Sequence, residues 1–167
     1  MIVEYSVLRP NATHPERANP SDAGLDVFFN PTDRLSVTLC PGDNAPLPTA
    51  LKFGIPHGYM LQACNRSSMG AKRSLIVGAH IIDSGYNGEV FIDLHNIGNT
   101  EQRIEPGDKI AQLVMVPVIS FRAFECGAEE LYEEQITMSD RGDGSLGSTD
   151  NKHPHPLNGI ASGVSGF

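Results

Sequence analysis

Tryptophan is missing from this 167-residue chain, and cysteine nearly so: Cys40, Cys64 and Cys126 stand far apart, with no CxxC pair. An odd, scattered set excludes a disulfide framework and a cysteine zinc site as organising devices, and it suits a reducing compartment. Cations are scarce too, with 12 Lys and Arg against 20 Asp and Glu and a net charge of −8. A surface of that sign cannot neutralise the phosphates of a duplex, so no uniform nucleic-acid-binding face is expected. A small phosphate compound can still be held where a few cations are placed locally. No apolar run reaches membrane-spanning length, so no membrane partner is expected. The first twenty residues carry Glu4, Arg9, Glu16, Arg17 and three prolines, which is not the make-up of a signal peptide. The expectation is an intracellular protein that is not secreted: cytoplasmic, or nuclear or host-intracellular for a eukaryotic or viral source.

Long helical periods are absent as well. What is present is a series of short runs rich in Val and Ile, at residues 1–8, 25–29, 34–39, 50–55, 59–64, 74–82, 89–97, 102–106 and 109–121. Turn signals punctuate them: Asn30-Pro31, Pro41-Gly42, Gly85 to Gly88 and Pro106-Gly107-Asp108. Strands at such spacing predict one all-β domain, a sandwich or barrel. In "EVFIDLHNI" (89–97) the alternation sends Val90, Ile92, Leu94 and Ile97 inward, and Phe91, Asp93 and His95 outward. From about Ser139 the composition changes to a glycine-rich stretch poor in strand formers, which cannot bury enough apolar surface to fold alone. The expected organisation is a β domain over 1–138, an arm over 139–150 and a disordered tail over 151–167.

Four groups carry polar chemistry. "NRSSMGAK" (65–72) sets Arg66, a bidentate phosphate clamp, beside two hydroxyls, and reads equally as an ordinary polar turn. "DAGLDVFF" (22–29) flanks Gly24 with Asp22 and Asp26, which at the start of a strand read as caps or turn residues. "EPGDKIAQLV" (105–114) turns tightly into a strand bearing Gln112. "RGDGSLGSTD" (141–150) has phosphate-loop flavour, but it is not a P-loop pattern and no helix-forming sequence follows it. A fifth stretch, "GAHIIDSGYNGEV" (78–90), places the carboxylate of Asp83 between two isoleucines and Tyr86. Burying such a group without purpose is costly.

In order and spacing these stretches resemble the five motifs of the trimeric deoxyuridine triphosphatase (dUTPase) family: "AGLDVF", "RSSMGAK", "IIDSGYNG", "PGDKIAQLV" and "RGDGSLGST". The resemblance covers residues 22 to 149. It implies a distorted β jelly roll with a flexible glycine-rich C-terminal arm, forming a homotrimer with active sites between subunits. It implies hydrolysis of dUTP to dUMP and pyrophosphate with Mg²⁺, the ion held through substrate phosphates and water with no direct protein ligand. In this reading Asp83 holds the water that attacks the α-phosphate. Tyr86 excludes a 2′-hydroxyl, and the segment Ala79, His80, Ile81 and Ile82 binds the uracil edge. Arg66, Ser67, Ser68 and Gly70 meet the phosphates, Gln112 completes a phosphate or water contact, and Asp26 supports the site. From the arm, Arg141 clamps the γ-phosphate, and Leu146, Gly147, Ser148 and Thr149 close over the ligand.

Two positions depart from the family pattern. Leu146 stands where an aromatic residue stacks on uracil, and His80 where glycine is common. The string "AHIID", with Asp93 three before Asn96, also resembles the sister dCTP deaminase family. That leaves a deaminase, or a bifunctional dCTP deaminase and dUTPase, as an alternative. Against it, the deaminase acid is Glu, and Ala71 replaces an arginine those enzymes carry. His80 reads first as a satisfied turn histidine, and Asp93 first as a solvated outward residue on an alternating strand. A nucleotide-binding regulatory relative, silent in catalysis, is a further alternative.

Overall fold

The computed structural model describes residues 2–127. The chain divides after Phe121 into two units. In the second, residues 122–127 are exposed and lack regular secondary structure. The boundaries expected at 138 and 150 lie outside the described residues, as do Arg141, Leu146, Gly147, Ser148 and Thr149.

The first unit holds eleven strands and one helix among the described residues: β1 (Glu4–Val7), β2 (Leu25–Phe28), β3 (Val37–Leu39), β4 (Asn44–Pro48), β5 (Leu51–Gly54), β6 (Tyr59–Cys64), α1 (Ser67–Arg73), β7 (Leu75–Val77), β8 (Ile81–Asp83), β9 (Phe91–Asn96), β10 (Gln102–Ile104) and β11 (Lys109–Pro117). The larger sheets have the orders β2-β11-β6-β8 and β4-β9-β7, and β1-β5 and β10-β3 form two-stranded pairs. Every pairing is antiparallel. One continuous apolar core draws on both larger sheets, including Val27, Leu61 and Leu113 from one and Leu47, Ile92 and Leu94 from the other. This is the all-β, jelly-roll-like architecture expected. Each fully buried Leu or Ile contributes about 1.5–3 kcal/mol.

The alternation in β9 holds for Val90, Ile92 and Leu94, all at most 2% exposed, but it carries on to Asn96 (1%) and not to Ile97 (64%). A period of two admits only the even positions. The buried amide is satisfied, for Asn96 Nδ2 donates to Leu39 O and Thr100 O, and Oδ1 accepts from Gly98 N–H. β4 was not expected, because Pro46 and Pro48 interrupt it. As an edge strand it tolerates their missing N–H groups, and Leu47 anchors it in the core. The run 74–82 is not one strand but two, in different sheets: β7 pairs with β9, and β8 with β6. Residues 78–80 make the crossing. The "RSSMGAK" stretch, read as a turn, is a two-turn helix that buries Met69 and ends on Ser74 in the left-handed region (φ 52°).

Candidate active site

Two clusters take shape at opposite ends of β6. The first gathers around Asp26 on β2. Arg66 Nε–H donates to Asp26 Oδ1 at 2.9 Å, and Lys109 Nζ donates to Asp26 Oδ2 at 2.9 Å and to Glu16 Oε1 at 2.7 Å. Both oxygens of a nearly buried carboxylate are therefore engaged by cations. Arg66 stands at the start of α1, and among the described residues its terminal nitrogens make only a long contact, NH1 to Ser68 Oγ at 3.4 Å. Sequence alternation would put Lys109 and Gln112 on opposite faces of β11. A bulge between Lys109 and Ala111 resets the phase, burying Ile110 and Ala111 together and turning both polar residues outward. Gln112 pairs in register with Asp26 and Cys64, and its Nε2 donates to Asn65 O at 2.8 Å. Gly24 is required here, since a Cβ would overlap Gln112 Oε1. Ala18, Asp22, Gly24, Asp26, Arg66, Ser67 and Gln112 line a cleft of about 320 Å³. Lys109, Glu16 and Asn65 were not singled out from the sequence. Lys109 lies inside a stretch that was, and its charge next to a site glutamine was the available signal.

The second cluster is the edge strand β8 and the loop after it. Asp83 is exposed, and no side-chain hydrogen bond or ion pair engages it among the described residues. The cost feared for a buried carboxylate does not arise. Ile82 is half-buried against the core, whereas Ile81 is 65% exposed, so only one of the two isoleucines anchors the strand. Gly85 (φ +88°) makes the turn that presents Tyr86. Tyr86 Oη donates to Glu89 O at 2.8 Å, and Gly88 leaves room for the ring. Glu89 holds the loop's far end: it pairs with Arg9 and accepts from Ala50 N–H at 2.8 Å. Ile81, Ile82, Asp83, Tyr86, Val90 and Phe91 line a cavity of about 210 Å³. His80 Nδ1 lies 2.7 Å from Ala63 O. A carbonyl only accepts, so Nδ1 carries the proton, and His80 is a satisfied turn histidine. Asp93 is held by Asn44 Nδ2 at 3.0 Å and His95 Nε2 at 2.8 Å.

The first cluster is a notch of paired charges, in which the outer guanidinium nitrogens of Arg66 are only loosely engaged among the described residues and stand beside Ser67, an arrangement suited to phosphate oxygens. The second is an apolar shelf beside a free carboxylate, suited to a planar ligand and a water.

A family model for dUTPase matches residues 10–150. The chain belongs to the dUTPase family. It is 33% identical over 147 residues to the deoxyuridine 5′-triphosphate nucleotidohydrolase of Chlamydia muridarum, covering 87% of this chain and 96% of that one. Among solved structures, the dUTPase of Staphylococcus bacteriophage 80alpha with dUPNHPP superposes with a TM-score of 0.73 at 28% identity, covering 88% of this chain and 97% of the other. A point mutant of the phage phi11 dUTPase, which reveals the coordination of a structural Mg(II) ion, reaches 0.68 at 27% identity over 75% of this chain and 97% of its own. Within the dUTPase family the activity is that of a dUTP diphosphatase, and the two clusters are where the family motifs of the described residues fall.

Proposed function

We propose that this chain hydrolyses dUTP to dUMP and pyrophosphate, with water activated by Asp83 attacking the α-phosphate. The unengaged carboxylate of Asp83 carries the reading. A base must accept a proton from water, and a carboxylate already spent on cations, as Asp26 is, is poorly placed to do so. Asp26 instead fixes Arg66, which with Ser67, Ser68 and Gly70 meets the phosphates. Gln112 contributes a carbonyl or amide contact in the same cleft. The backbone of Ala79, His80, Ile81 and Ile82 matches the polar edge of uracil, and the Tyr86 ring excludes a 2′-hydroxyl by shape. Polar matching of this kind rejects the wrong base by leaving buried groups unpaired.

Mg²⁺ would be held in this cleft mainly through the substrate phosphates and its own waters. The described residues hold no cluster of three or more His, Cys, Asp or Glu able to hold it, and both oxygens of Asp26 are taken. The ion's reluctance to dehydrate suits a place on the triphosphate and its own waters, where it supplies neutralising charge.

Distance supports an assembly of several copies. Along β6, Met60 pairs with Asp83 and Cys64 lies level with Gln112 and Asp26. Four residues of strand and three strand spacings separate Asp83 from Asp26, roughly 20 Å on the diagonal. Such a span favours a site in which Asp83 of one copy meets Arg66 of another, as in a cyclic trimer. The arm with Arg141, Leu146, Gly147, Ser148 and Thr149 would close it. Mixing tests this. Asp83→Asn and Arg66→Ala should each be inactive alone, and co-assembled they should regain about one quarter of wild-type activity by random assortment. No recovery would place the whole site within one chain.

No reading as a deaminase is favoured, since Asp93 and His80 are both committed to structural partners. Release of pyrophosphate from dUTP, without ammonia from dCTP, separates the two. The three cysteines, unpaired in the structure, suit an intracellular setting, and no helix of the described residues is long and apolar enough to cross a membrane.

A further inference from the structure

We infer that the Asp93–His95 pair on β9 is a positioning element for base recognition, setting the path of the backbone where it crosses from β7 to β8. The inference rests on the assignment of residues 79–82 to the uracil edge.

The crossing is only three residues long, Gly78 to His80, and it joins two different sheets. It is pinned at both ends. At the far end, His80 O accepts from Ala63 N–H at 2.8 Å, and the His80 ring returns a bond to Ala63 O. At the near end, Gly78 N–H donates to Asp93 O at 2.8 Å. There the Gly78 backbone also lies flush against the paired side chains. A Cβ on Gly78 would overlap His95 Nε2 and would come within 2.6 Å of Asp93 Oδ2. The pair is itself braced, because Asn44 Nδ2 on β4 donates to the other oxygen of Asp93. Imidazole, carboxylate and amide thus form one polar wall across the outer face of β9, and the chain enters the base-binding segment along it.

A side chain pointing outward from a strand usually costs nothing to change. These two differ because the backbone they support would read the base by its own N–H and C=O groups. Those groups cannot be re-aimed by a rotamer change, so a shift of the crossing shifts every contact to the base together. Phosphate contacts, built from Arg66 and Gln112 on other elements, would not follow. Base affinity and base discrimination should therefore respond to the pair, while phosphate affinity and the chemical step respond far less.

The test is steady-state kinetics on the full chain with dUTP, dCTP and dTTP, alongside inhibition by pyrophosphate, which has no base. His95→Ala should raise KM for dUTP about fivefold and lower discrimination against dCTP by a similar factor, with kcat within about threefold. The inhibition constant of pyrophosphate should stay within about twofold. His95→Gln, which keeps an N–H donor for Asp93, should recover most of the loss. Backbone amides 78–82 should exchange faster in His95→Ala than in the wild type, with β11 unchanged. Should His95→Ala fail to fold, Asn44→Ala removes the brace from an exposed position and should show the same pattern more weakly. Unchanged KM and discrimination in a folded His95→Ala would overturn the inference. So would equal weakening of dUTP and pyrophosphate, which would mark a general structural role. Failure of the underlying reading looks different: the wild type itself would then fail to prefer dUTP.

Discussion

The notch around Asp26 and the shelf around Asp83 each hang on one carboxylate, and the two carboxylates live under opposite conditions. Asp26 is 8% exposed and bonded to two cations, in a sheet flanked by a bulge, a helix start and a glycine that admits Gln112. Asp83 is exposed, unengaged, and carried on a three-residue edge strand. One region is finished within the chain and the other is held open. A group that orders its neighbours must be saturated by them, while a group that takes a proton from water must keep its lone pairs free. The contrast separates a residue that builds from a residue that reacts, although both are aspartates in recognisable motifs.

Substitution should break the contrast in two directions. Asp83→Asn is expected to lower turnover by on the order of 10²–10⁴ while leaving the binding of a non-hydrolysable dUTP analogue within about tenfold. Its thermal midpoint should not move, since nothing in the described structure leans on that carboxylate. Turnover within about threefold of wild type would remove Asp83 from the chemistry. Asp26→Ala should strike stability first. It removes the carboxylate partner of Arg66 and leaves Lys109 with Glu16 alone, and it should cost about 2 kcal/mol of stability, less than a fully buried pair would because both cations are partly exposed. Activity should fall with it, and urea denaturation read beside kinetics separates the two losses. Gly24→Ala probes the same region sterically: displacing Gln112 should lower kcat/KM by about tenfold with a stability loss under about 1.5 kcal/mol.

Why some of this was legible beforehand is itself physical. Short Val- and Ile-rich runs between turn residues announce strands, and β6 runs over 59–64 as its apolar run does. The stretches around Arg66, Asp83 and Tyr86 stood out through their resemblance, in order and spacing, to the family's motifs. Three features were hidden. The helix over Ser67–Arg73 has one buried residue, Met69, too few to leave a periodic trace. β4 was masked by its prolines, which an edge position tolerates. The bulge in β11 breaks the alternation that reads faces from sequence, so the joint placement of Lys109 and Gln112 beside Asp26 emerged only from the sheet. Partnership between strands far apart in the chain, such as Asn44 on β4 with Asp93 on β9, leaves no sequence mark at all.

The smallest expected effect lies in how each region responds to pH. Asp93, beside the crossing that leads to β8, is held below the ordinary carboxylate value of 3.8, first by the hydrogen bond from Asn44, which outweighs the opposing push of burial, and then by the hydrogen bond and charge of His95. Lys109, in the Asp26 notch, is held above its ordinary 10.5, first by Glu16 and then by Asp26. A depressed carboxylate contributes stability above 3.8 and loses it as pH falls through its lower folded value. A raised amine contributes below 10.5 and loses it as pH climbs through its higher folded value. Neither group adds slope near neutrality, so the acid limb of the stability curve carries the Asp93 signature and the alkaline limb that of Lys109. Asn44→Ala should cost stability at neutral pH and none once Asp93 is protonated in both states, so the two urea midpoints should converge below pH 3.8. Glu16→Gln should do the same at the other end, its deficit vanishing only as Lys109 deprotonates above pH 10.5. Both pairs are partly solvated, so the differences should be small and should shrink further in high salt. A deficit in Asn44→Ala that persists unchanged at low pH would mean that the amide acts through packing, and that the charge on Asp93 is not what it stabilises.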